Sequence, residues 1–102
     1  MEVAAKYCDD NGAKFHVGDL VLLSAAHRAC GLVWYFFNVD RVPWAVLSVW
    51  PLLETQGRSA RYRVLNDNPQ LIPAEDIKAN GIYRKSGETA TVWLPKSYRL
   101  GF

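Results

Sequence analysis

Leu32-Val33-Trp34-Tyr35-Phe36-Phe37 is apolar or aromatic at every position, and Trp44-Ala45-Val46-Leu47-Ser48-Val49-Trp50 follows it across a short polar break. Residues of this kind, β-branched and aromatic, fit a pleated surface better than a helix. An unbroken apolar run of this length reads as a strand that is buried or lies in an interface. In the second run Trp44, Val46, Ser48 and Trp50 alternate with Ala45, Leu47 and Val49, so neither face is polar and both are expected to be covered. The whole stretch from Gly31 to Leu53 is apolar enough to raise the question of a membrane span. Asp40 and Arg41 sit near its middle, however, and Pro43 and Pro51 interrupt it, so no spanning helix and no membrane partner are expected.

Working outward, turn residues divide the rest of the chain into short pieces. Asp9-Asp10-Asn11-Gly12, Val17-Gly18-Asp19, Asn66-Asp67-Asn68-Pro69, Asn80-Gly81 and Ser86-Gly87 supply positions that tolerate positive φ or bond their own backbone. Between them, 15–23, 60–65, 82–85 and 89–94 are strand-like, and Arg61-Tyr62-Arg63-Val64 alternates as a half-buried antiparallel strand does. One short helix is expected over Ser24 to Cys30, capped by Ser24 and closed by Gly31. A rival reading starts a helix at Asp19, because Leu20, Leu23, His27 and Cys30 recur at nearly helical spacing. A second helical turn is expected at Ile72-Pro73-Ala74-Glu75-Asp76-Ile77, opened by the proline and followed by acids, with both isoleucines anchoring it to the core.

Short strands, tight turns and one helical turn before a late strand describe a mainly β, small antiparallel barrel, and the residues carry a resemblance. Phe15-His16-Val17-Gly18-Asp19-Leu20-Val21-Leu22-Leu23 looks like the first strand and turn of SH3-like barrels, where a V-G-D-x-V element is common. Trp44 to Val49, Tyr62-Arg63-Val64-Leu65 and the 72–77 turn follow in the order such barrels use, so residues 15–78 are similar to Tudor, KOW and integrase C-terminal modules. The resemblance implies a single domain over 1–102, with an insertion near 24–43 and a C-terminal hairpin extension over 79–102. It also implies a binding module.

Composition is consistent with one folded unit: 102 residues, 50% hydrophobic, 22% charged, with a net charge of only +2. The charge is uneven. Up to Gln56, four cations face six acids, whereas from Gly57 onward eight cations face four acids, so an anionic partner belongs to the second half. Cys8 and Cys30 stand far apart without a CxxC motif, and the N-terminal residues lack a basic segment followed by an apolar one; reduced thiols and a cytoplasmic location are the expectation.

Catalytic patterns are thin. His27 and Cys30 are the best nucleophilic pair if they share a helix face, and Cys8, His16, His27 and Cys30 the only zinc set, with chelating spacing at two positions alone. No phosphate-binding glycine loop, dinucleotide fingerprint or H-E-x-x-H is present, so neither enzyme activity nor a cofactor or metal is expected. Binding is better founded. Arg58, Arg61, Tyr62, Arg63, Tyr83, Arg84 and Lys85 combine cations with aromatic platforms as barrel readers of DNA or RNA do, with Trp93 and Tyr98 interleaved nearby. The alternative is a protein partner or a homodimer held by the apolar strand, with Trp34, Tyr35, Phe36 and Phe37 at the interface.

Overall fold

The computed structural model of the chain describes residues 2–98. Its strands are β1 (Glu2–Ala4), β2 (Lys6–Cys8), β3 (Lys14–His16), β4 (Leu20–Leu23), β5 (Ala29–Val39), β6 (Val42–Gln56), β7 (Ser59–Arg63), β8 (Pro69–Pro73), β9 (Ile77–Asn80), β10 (Ile82–Ser86) and β11 (Thr89–Trp93). The helical content of the described residues is two 3-10 turns, Ala25–His27 and Ala74–Asp76. The protein is therefore mainly β, an antiparallel sheet curled into a half-barrel.

Its spine is the hairpin of the two apolar runs. β5 and β6 pair from Ala29↔Pro51 to Val39↔Val42, and Asp40 and Arg41 form the two-residue turn with φ of 51° and 68°. Each long strand carries two shorter ones along its outer edge. β5 pairs with β4 through Cys30–Leu32 and with β1 through Phe36–Asn38. β6 pairs with β8 through Trp44–Ser48 and with β7 from Leu52 onward. The register slips at Trp34 in β5 and at Leu53 in β6, close to where each strand changes partners. A bulge bends a strand and sharpens its twist, which lets the two ends of the hairpin curl into different layers.

Around β4 and the parts of β5 and β6 nearest it the sheet is covered on two sides, and this explains the missing alternation there. All four residues of β4 are buried: Val21 and Leu23 enter one core with Phe15, Val33, Leu47 and Ile72, while Leu20 and Leu22 enter another with Cys30, Trp50, Tyr62 and Val92. β7, β11 and β10 fold back as a small sheet over the second core. The path then runs β9-β4-β5-β6-β8, with the 74–76 turn leading from β8 into β9, and Ile72 and Ile77 are buried on either side of that turn as anticipated.

Several local expectations change. The helix over 24–30 shrinks to Ala25–His27, because Ala29 and Cys30 are already paired to Pro51 and Trp50 in β5. The left-handed residue that ends the turn is Arg28 (φ 46°), not Gly31. Gly31 lies within β5, where an added Cβ would sit 3.0 Å from the Ser48 carbonyl oxygen, so glycine serves close strand packing there. A helix from Asp19 does not form; burial on both faces of β4 places apolar residues at every position and so mimics helical spacing. Residues 24–43 supply the first arm of the hairpin, and residues 57–68, which carry β7, form the excursion between β6 and β8. The cover expected on both faces of the 44–50 run reaches Ser48 and Trp50, which are buried, but not Trp44 and Val46, which are only half-buried.

Candidate functional site

The pleat decides which members of the basic set can act together. Arg61 pairs with Thr91, which pairs with Arg84, so the two arginines share the outer face of the β7–β11–β10 sheet. Arg63, opposite Thr89, lies on the same face two residues along. Tyr62 and Tyr83 point the other way. Tyr62 pairs with Ala90 and is fully buried in the second core, so its place in a contact surface is withdrawn: its ring fills the space between β7 and β4. Tyr83 packs edge-on against Trp50 at 5.8 Å and is 38% exposed, and Lys85 shares the Tyr62–Ala90 row at the sheet edge. Arg58 stands in the β6–β7 turn, where its carbonyl accepts a hydrogen bond from Leu94.

The aromatic that does share a face with Arg61, Arg63 and Arg84 is Trp93, 48% exposed and paired with Ile82. Arg61 donates to Glu54 across the β6–β7 ladder, which neutralises part of that surface. Tyr98 is buried and donates to the Leu23 carbonyl, so it too belongs to the core.

The proposed nucleophile has no setting for the role. Cys30 is buried in the second core, where desolvation pushes its thiol far above the usual range, the reverse of what a reactive cysteine needs. Burial likewise raises Tyr62, helped by Cys30 and Tyr98 nearby, and pushes Tyr98 up to about 12. His27 turns outward instead, its Nε2 2.9 Å from Asp76 Oδ2, and ties the two 3-10 turns together. Among the described residues no three His, Cys, Asp or Glu gather as metal ligands.

The apolar run is different. In the strand register Tyr35, Val46 and Leu71 form one row across β5, β6 and β8, and Val3, Phe37, Trp44 and Pro73 form the next, starting from β1. Val39 and Val42 complete the face at the hairpin end. The bulge adds Trp34: Val33 and Phe36 are buried inward, and the two residues between them are both exposed, Trp34 at 42% and Tyr35 at 40%. Phe36 and Phe37 are thus not free contact residues. Phe36 fills the first core, and Phe37 is buried on the outer face, its ring 6.1 Å from that of Tyr35.

This face continues the one that covers the second core. Toward the other end of the hairpin it is roofed by β7, β11 and the 64–68 segment, where Ser48 Oγ and Trp50 Nε1 both donate to the Leu65 carbonyl. Beyond Ser48 the roof ends, and Val42, Val39 and Leu71 stand 41% to 54% exposed. Sequence reading found Trp34 and Tyr35 but missed Val3, Val42, Val46 and Leu71. The i, i+2 series Tyr35-Phe37-Val39 and Val42-Trp44-Val46 carried the signal, and the turn between them was hidden because Asp40-Arg41 lacks the glycine that usually marks it.

No family model, curated protein or solved structure matches the chain. Among the described residues no helix is long and apolar enough to cross a membrane.

Proposed function

We propose that this chain is a non-catalytic binding module built on an SH3-like barrel, and that it associates with protein through the uncovered apolar face of β1, β5, β6 and β8. The barrel reading is supported by the path β9-β4-β5-β6-β8 and by the 3-10 turn between β8 and β9. The contact reading rests on one observation: two full rows of side chains across four strands, and the Val39–Val42 pair beyond them, contain no charged residue, the first charges being Asp40 and Arg41 in the turn itself. The exposed parts of Val3, Trp34, Tyr35, Val39, Val42 and Leu71 amount to roughly 600 Å², at the top of what monomers ordinarily leave uncovered. A reducing compartment such as the cytoplasm suits free Cys8 and Cys30.

Photo-crosslinking tests this directly. A photoreactive residue at position 71 should capture protein in the producing cell at high and low salt alike, while one at position 82, on the arginine face, should not. Capture from 82 alone contradicts the reading.

A second reading, DNA or RNA on the outer face of β7–β11–β10, is favoured by Trp93 standing exposed among Arg61, Arg63 and Arg84. It expects binding that weakens steeply with salt, and a salt slope that falls by about one unit for each of Arg63→Ala and Arg84→Ala.

A further inference from the structure

We infer that the occupant of the apolar face is a second copy of this chain, packed face to face about a two-fold axis as the missing half of a β-sandwich. This rests on the association reading above and names its partner.

Three features of the molecule point there. First, the same face is already roofed along half its length by a sheet: β7 and β11 cover Leu20, Cys30 and Trp50. A sheet is what this pleated surface accepts as cover, and two sheets packed at about 10 Å interdigitate their inward side chains. Second, the area suffices. Two copies would bury about 1,200 Å² in total, the lower end of what specific, stable interfaces bury. Third, charge selects the symmetric arrangement. The paired rows of the apolar face carry no charge to oppose their own image, the nearest being Asp40 and Arg41 in the turn at their end, whereas docking the face on the outer β7–β11–β10 face of a neighbour would bury Arg61, Arg63 and Arg84 against valine and leucine. An isologous contact avoids that desolvation and closes as a dimer rather than growing into a filament.

The test uses the full chain in sedimentation equilibrium from micromolar to millimolar concentration, with an environment-sensitive apolar dye as second readout. The wild type should approach twice 11.5 kDa. Leu71→Glu and Val42→Glu, both at exposed positions, should each weaken association by about 100-fold or more, because the two-fold axis introduces each charge twice. Ile82→Glu, at an exposed apolar position on the opposite sheet, should leave it unchanged. Circular dichroism checks that each variant folds, and either of the first two suffices. A dimer that survives both substitutions overturns the inference. So does a monomer at every concentration. In that case, dye binding abolished by Leu71→Glu would keep the face as a docking site for a different protein, and a monomer that binds no dye would remove the association reading as well.

Discussion

Tyr62 and Tyr98 share one core and differ in one hydrogen bond. The Tyr98 hydroxyl donates to the Leu23 carbonyl, whereas the Tyr62 hydroxyl is buried with no partner among the described residues. Removing a satisfied group costs about 0.5 to 1.5 kcal/mol, but removing an unsatisfied one relieves its desolvation. Urea titration should therefore show Tyr98→Phe destabilised by about 1 kcal/mol and Tyr62→Phe neutral or stabilised by a similar amount; equal losses at both would contradict the assignment. Cys30, Tyr62 and Tyr98 also set the alkaline limit. Each holds its proton to higher pH when folded than when unfolded, so above their ordinary values of 9.0 and 10.0 the unfolded chain binds fewer protons and stability falls as pH rises. Stability from these groups should be intact below about pH 9 and lost progressively toward pH 12, as denaturation followed across that range would show. Arg41 adds a third case. A bulky residue at φ 68° in a two-residue turn is strained, and Arg41→Gly should raise the melting temperature through a gain of about 0.5 to 1 kcal/mol.

At the scale of elements, the sequence was most legible where residue type and turn chemistry agreed. The hairpin 82–93, the strand around Tyr62 and the turn between Ile72 and Ile77 could all be read in advance. The outward aim of Arg61 and Arg63 followed from alternation alone. What alternation could not reveal was how deep the other face lay: Tyr62 reads as a surface aromatic between arginines, but the return of β7 over β4 buries it completely. β4 misled for a related reason, since four buried residues in a row erase the period that separates strand from helix. The short edge strands β1, β8 and β9 carry polar or proline-containing sequence, and pairing with the long hairpin, rather than propensity, makes them strands. Gly81, joining β9 to β10, is the other tight junction. Its amide donates to the Leu20 carbonyl, and an added Cβ would lie 2.8 Å from Val92 Cγ1. Gly81→Ala should cost about 1 to 3 kcal/mol by forcing β11 away from β4, measurable as an earlier denaturant midpoint with unchanged slope.

For the molecule as a whole, charge and apolar surface are separated. Arg61, Arg63 and Arg84 face outward from the β7–β11–β10 sheet, and the apolar face lies on the far half of the hairpin, where no roof reaches. The two surfaces make opposite demands on a partner, and the tryptophans report on them separately: Trp34 belongs to the apolar face and Trp93 to the arginine face. Hydroxyl-radical footprinting of both residues, on dilute purified protein and on the same protein concentrated inside its producing cell, separates them in one experiment. Association through the apolar face predicts that Trp34 is modified when dilute and protected in the cell, with Trp93 modified equally in both. Protection of Trp93 with Trp34 left fully reactive would contradict it and move the contact to the arginines.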